Sequence, residues 1–466
     1  MPGGRAAGGI GRRKADNMIR RVLTGLLGAA ALAALSGCMT NEIKPLAKVN
    51  PIQAQTQIPE EELLDVAVRV FDPGIPAEIA NDEEELAKRR VFPEIRQAES
   101  RYIATMLRST LESSGQWGAV RVVPDSVEFV DVIVDGKIVE STGARLELLV
   151  TVKDSTGRVW FADRKYESPA DIGSYKTDAA LRARDPFQNV YSQIANDMVV
   201  AREQLASADR REIRRVTELR FASDLAPAAM EGYLTTGDRG ILKVARLPAE
   251  NDPIATRIQR LRERDAGVID TVDGYYANFA EQMRDSYGNW RRSSFEEIEK
   301  EQRLRQQART RTILGAAAVV ASVFVPGQCN YYDYNCRRIE NAARTAGAIG
   351  GTAAVLSGLK KFADAKVHAQ TVKELSESFE AEVAPQVVDV EGRTLRLTGT
   401  AEEQYREWRR LLHQLHLEET GGVAVVPAPL DGATAPAEAD AAVGTGNDAA
   451  TAPATASGSA ASEPSS

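Results

Sequence analysis

The chain has 466 residues, 43% of them hydrophobic, 6% aromatic and 27% charged, with a formal net charge of −8. That length predicts two to four domains, and the apolar content is ample for a buried core in at least one of them. Few aromatic and many charged residues suit a helical, partly extended chain better than a compact all-β one. The acidic balance excludes general nucleic-acid binding, whose affinity comes mainly from neutralising phosphates.

Residues 1–37 hold six basic side chains (Arg5, Arg12, Arg13, Lys14, Arg20, Arg21) against the single acid Asp16, so their removal would take the charge from −8 to −13. From Met18 the chain reads "MIRRVLTGLLGAAALAALSGC", two arginines followed by fifteen uncharged residues, 22–36. This is the layout of a secretory signal, with basic residues held on the cytoplasmic side of a short apolar helix. Fifteen helical residues cover only about 22 Å, less than the roughly 30 Å hydrocarbon core, so a signal is favoured over a lasting transmembrane anchor. The Gly- and Arg-rich residues 1–17 read as a leader extension or as sequence before a natural initiator at Met18.

Leu35, Ser36, Gly37 and Cys38 resemble the lipobox of bacterial lipoproteins: a branched aliphatic, two small residues and an obligatory cysteine. The resemblance implies that the Cys38 thiol receives a diacylglycerol, that cleavage makes it the first mature residue, and that its amine is acylated. Met39 follows instead of the Asp that commonly retains lipoproteins in the inner membrane, so the resemblance implies the outer membrane with the protein mostly facing the periplasm. Several acyl chains, at about 0.8 kcal/mol per buried methylene, make such an anchor permanent. The competing reading is an ordinary cleaved signal with an incidental cysteine.

Residues 38–60 hold three prolines and little periodicity, and read as a tether. Residues 61–205 read as an α+β domain. "LLDVAVRVF" is a first strand ended by "DPG"; Ile95, Ala98, Tyr102, Met106, Leu107 and Leu111 recur at helical spacing until "SSG"; "AVRVV" is a second strand. "VDVIVDGKIVE" carries an Asp-Gly pair, Asp135 and Gly136, that predicts a hairpin turn. "ARLELLVTVKD" puts Leu146, Leu148, Val150 and Val152 on one face; "STG" turns the chain; "RVWFADRKY" returns. A helix with Phe187, Val190, Tyr191, Ile194 and Met198 on its apolar side closes the domain. The order predicts a sheet with helices on one face. It resembles, in architecture alone, the periplasmic modules of envelope assembly and transport-accessory lipoproteins.

Residues 206–310 read as a charged helical region. Tyr276, Phe279, Met283, Tyr287 and Trp290 form one helical stripe, predicted to be core packing, with a groove for a partner helix as the alternative. The charged run "RRSSFEEIEKEQRLRQQARTR" reads as a solvated helix face. Residues 311–380 predict an apolar, Gly/Ala-rich helical hairpin. Its arms, "ILGAAAVVASVFV" and "AARTAGAIGGTAAVLSGL", are joined by "PGQCNYYDYNC", and Gly347 and Gly351 leave one face nearly bare backbone. In an oxidising compartment Cys329 and Cys336, in that turn, are expected to form a disulfide, closing a loop worth at most about 2.5 kcal/mol. A metal site is the alternative, with no histidine near. The arms are short for spanning a bilayer, so a self-packed hairpin is weighed against shallow membrane contact, with Arg303, Arg305, Arg309 and Arg311 placed to meet anionic headgroups.

Residues 381–427 predict a strand pair, "VVDVEGRTLRLTG", turning at Glu391 and Gly392. A helix follows that is capped by Thr400 and Glu403, and then a third strand, "GGVAVVP". This order weakly resembles the BON module of envelope proteins, which implies membrane-surface contact. Residues 428–466 have the composition of a disordered acidic tail.

The chain lacks Gly-x-Ser-x-Gly, His-Glu-x-x-His, P-loop and dinucleotide fingerprints, and its three histidines, His368, His413 and His416, gather no third ligand in the sequence. The expectation is a non-enzymatic structural or accessory lipoprotein without cofactors. Its partners would be membrane lipid, through acylated Cys38, and envelope proteins. A membrane-active protein inserting residues 311–360 is the alternative.

Overall fold

A computed structural model describes residues 46–175, 184–323, 386–390 and 393–420, with positions 371, 373, 374 and 377. These residues form a mixed α/β fold around a five-stranded mixed sheet. Strand β1 (Val66–Arg69) leads through the short helix α1 (Glu83–Lys88) and the long α2 (Pro93–Ser113) to β2 (Val120–Val123). Strands β3 (Val132–Ser141), β4 (Arg145–Asp154) and β5 (Val159–Pro169) follow, then helices α3 (Gln188–Glu203) and α4 (Ser207–Leu225). The sheet order is β2-β1-β3-β4-β5, with β1 parallel to both neighbours and β3, β4 and β5 antiparallel.

Sequence and burial agree along each strand. The parallel centre is built from short runs, "VAVR" and "VRVV", because β1 is buried on both faces. The antiparallel β4 alternates strictly, with Leu146, Leu148, Val150 and Val152 all buried. These four residues meet Phe187, Val190, Tyr191, Ile194 and Met198 of the α3 region and Leu107 and Leu111 of α2 in the main core.

The other face is not bare. Ala67 of β1 and Ile133 of β3 pack with Phe221 and Leu225 of α4, Ile269 of α5 (Pro253–Val323) and Trp408 of α6 (Ala401–Glu419). Helices therefore cover both faces at β1–β3. The prediction of helices on one face describes only the β4–β5 half.

The Asp135-Gly136 pair is not a turn. Strand β3 runs straight through it, with Gly136 paired to Val150 of β4. The glycine serves a distant neighbour, since a Cβ there would lie 2.3 Å from the Phe71 ring. Gly143, in the β3–β4 turn, plays a similar part: its Cβ would lie 2.0 Å from the Arg291 carbonyl oxygen of α5.

Helix α5 contributes to the fold over its first part. Its Asp273 accepts the Val122 N–H at 2.7 Å and pairs with Arg108 at 2.9 Å, and Arg121 pairs with Asp270. The outer edge of β2 is thereby capped by side chains and withdrawn from strand pairing. Phe279, Met283, Tyr287 and Trp290 pack on Ile95, Ala98 and Tyr102 of α2, the core role expected of the aromatic stripe. The charged run that follows divides. Arg291 and Ile298 are buried, contrary to a solvated face, whereas residues 302–306 are exposed and carry ion pairs such as Arg303–Glu299.

A ribbon of β6 (Leu234–Thr236) and β7 (Leu242–Val244) interrupts the region expected to be wholly helical, joined to the β4–β5 turn by Leu242 N–H donating to the Thr156 carbonyl at 2.8 Å. Three-residue strands are too short to show alternation in sequence. Strands β8 (Gln386–Val390) and β9 (Arg393–Leu397) pair antiparallel with Val390 opposite Arg393, and the expected turn at Glu391 and Gly392 lies outside the described residues. Helix α6 has its capping box: Thr400 Oγ1 accepts from Glu403 N at 3.2 Å, and Glu403 Oε2 accepts from Thr400 N at 2.8 Å. Residues 324–370 of the apolar hairpin, the third C-terminal strand and the tail lie outside the described residues.

Candidate functional site

Cys38, Cys329 and Cys336 lie outside the described residues, as does His368. His413 Nε2 pairs with Asp224 of α4 at 3.0 Å. His416 is buried one turn on; burial, with Arg257 and His413 nearby, holds its pKa below the usual imidazole value. His413 thus ties α6 to α4. Among the described residues no group of three or more His, Cys, Asp or Glu side chains is placed to hold a metal ion.

The tether contains the first site that spacing alone did not reveal. From Ala47 onward it lies along α3 in extended form. Asn189 accepts the Val49 N–H at 2.9 Å and donates to the Ala47 carbonyl at 2.9 Å. Two turns on, Asn196 accepts the Ile52 N–H at 2.7 Å and donates to the Asn50 carbonyl at 3.1 Å. Arg184 adds a bond to the Val49 carbonyl at 3.0 Å and braces the Asn189 oxygen at 2.7 Å.

The fit is metrical. Seven helical residues advance about 10.5 Å, and three extended residues about 10 Å. Pro51 holds Asn50 extended and lacks an N–H where none is used. Ala47, Lys48, Asn50 and Ile52 remain exposed, so backbone and not side chain is what is held. Five such bonds contribute about 1 kcal/mol each, while ordering six residues costs about 1–2 kcal/mol per residue. The hydrogen bonds alone do not offset the ordering cost, so the segment is held weakly.

A second cluster joins α2, α3 and α5 inside the protein. Asp185 accepts from Arg291 Nη2 at 2.9 Å and from the Tyr102 hydroxyl at 3.1 Å, with 5% of the Arg291 side chain and 2% of the Asp185 side chain exposed. The Arg291 guanidinium stands 4.3 Å over the Tyr287 ring. Glu99 accepts from Ser141 Oγ and Tyr287 OH, both at 2.8 Å, beside Arg96 at 3.7 Å. Burial pushes the Glu99 pKa up, against the pull of Arg96 and of its hydrogen bonds. The cluster fixes the line along which α5 leaves the body.

At the carboxyl ends of β1 and β2 lies an open cleft of about 350 Å³, lined by Arg101, Asp125, Tyr276, Glu402 and Arg406. Burial raises the Asp125 pKa, opposed by Arg69 and aided by Glu402. Ligands of α/β sheets favour such a position, and the Thr400 hydroxyl beside it is committed to capping α6, donating to Glu403 Oε2 at 3.0 Å.

Glu301 of α5 pairs with Arg90, and Lys373 lies 3.5 Å from Glu94. Residues 302–372 thus leave and return at nearly one place on the entrance to α2. Of these, residues 302–323 continue α5 for about 33 Å beyond Glu301. No family description, curated protein or solved structure matches the chain.

Proposed function

We propose that the chain is a lipid-anchored, non-enzymatic accessory subunit of the bacterial cell envelope. It is held at the outer membrane through acylated Cys38, faces the periplasm and acts through contacts with other envelope proteins. The observation that carries this reading is the arm formed by α5. One part of the helix is built into the body by the Arg291–Asp185 clamp, and the other continues through the exposed residues 302–306 to the apolar run 313–323. Such an arm, rigid at its root and chemically distinct at its tip, suits presentation to a partner. Cross-linking in the intact envelope, read by mass spectrometry, tests it: stable protein neighbours on residues 302–360 are expected, and their absence removes the accessory role. Palmitate labelling of the wild type but not of Cys38→Ser tests the anchor separately.

A membrane-active role is the second reading, and one observation favours it. Arg184 binds Val49 of the tether while its neighbour Asp185 binds Arg291 of α5, so anchor segment and arm are rooted side by side. Cys38 is nine residues from Ala47, at most about 30 Å, and the apolar stretch begins about 18 Å beyond Glu301, so both reach one bilayer surface. No helix among the described residues is long and apolar enough to cross a membrane. Liposome leakage with and without residues 311–360 tests it; equal leakage sinks it.

A further inference from the structure

We infer that the α3 surface formed by Asn189, Asn196 and Arg184 is a binding site for extended polypeptide backbone. Its resident ligand is the chain's own segment 47–52, held exchangeably. Each asparagine makes one donated and one accepted hydrogen bond to main-chain groups two residues apart, the pairing an added β-strand would make. The seven-residue spacing of the two asparagines sets the register of the bound chain against the helix. Selectivity falls on conformation: Pro51 presents Asn50 already extended, and four of the six bound residues leave their side chains in solvent. Ordinary tethers show none of this, since a disordered spacer needs no receptor on the domain it carries. The ligand class is an extended peptide with free N–H groups at positions three apart, and the occupant is the anchor segment itself. The inference does not depend on acylation of Cys38, because every contact lies within residues 46–196.

The test uses the full chain. Hydrogen exchange at the Val49 and Ile52 amides is expected to be slowed at least tenfold relative to exposed tether amides. Asn196→Ala should release Ile52 while leaving Val49 protected, and Asn189→Ala/Asn196→Ala should release both. A Val49→Pro/Ile52→Pro chain, which lacks the two donated N–H groups, should have an empty site. It should bind a fluorescein-labelled peptide of residues 46–56 at least tenfold more tightly than the wild-type chain, whose own segment competes. Unprotected amides in the wild type overturn the inference. So does failure of the Val49→Pro/Ile52→Pro chain to bind the peptide, or equal binding of a peptide carrying proline at positions 49 and 52.

Discussion

The inner and outer parts of α5 both carry arginines, and these live in opposite surroundings. Arg291 is 5% exposed and locked to Asp185, whereas Arg303, twelve residues on, is 67% exposed and paired only with Glu299 one turn back. One helix is therefore a core element at Arg291 and an exposed one at residues 302–306, with no break in its backbone. What separates the halves is the partner supplied from elsewhere in the chain. A buried ion pair broken on one side leaves a stranded charge, and an exposed one leaves a solvated charge.

That contrast predicts the largest effect. Asp185→Ala strands Arg291 and removes the acceptor of Tyr102, so urea unfolding should show a loss of about 3–5 kcal/mol. A loss under 1 kcal/mol would mean that the clamp does not hold the helix.

Next comes pH. Burial raises the carboxyls of Asp265 and Asp131 from 3.8 to about 6; neighbouring Arg409 opposes the first shift, while nearby Asp65 adds to the second. Because the folded state binds these protons more tightly than the unfolded chain, each contribution is full below pH 4, fades as pH rises to 6, and is gone above. Two units correspond to about 3 kcal/mol per group. Asp265→Asn should flatten the stability profile between pH 4 and 6, and a profile of unchanged slope would contradict the assignment.

Smaller still, Gly136→Ala should cost about 1–3 kcal/mol by overpacking against Phe71. A neutral result there would revive the turn. Smallest is Arg303→Ala in the exposed half, expected to shift the unfolding midpoint by less than the equivalent of about 0.5 kcal/mol. A shift comparable with that of Asp185→Ala would erase the distinction between the halves.

Strict alternation made β4 legible, and helical spacing made α2, α3 and the stripe from Phe279 to Trp290 legible, because burial there follows from neighbours along one element. Asp135 and Gly136 were misleading for the converse reason: the glycine answers to Phe71, sixty-five residues away in the chain. Arg291 was hidden similarly, since its partner Asp185 is 106 residues distant. Asn189 and Asn196 carried a fainter signal, two amides seven apart on a helix, which acquires meaning only when Pro51 and its flanking backbone lie against them. Thr400 and Glu403, by contrast, announced their cap because both partners sit within one turn.

The docked segment has a consequence for local concentration. With Cys38 as the proposed anchor, nine residues separate the membrane attachment from Ala47. Were the asparagines to let go, the next attachment would be Ala54, whose N–H donates to the Ser114 carbonyl at 2.9 Å. The leash would then lengthen from nine residues to sixteen. The volume swept grows as the cube of that length, so the effective concentration of the body before any membrane neighbour would fall by up to about sixfold. Two asparagine side chains would thus govern how often the protein meets whatever shares its bilayer.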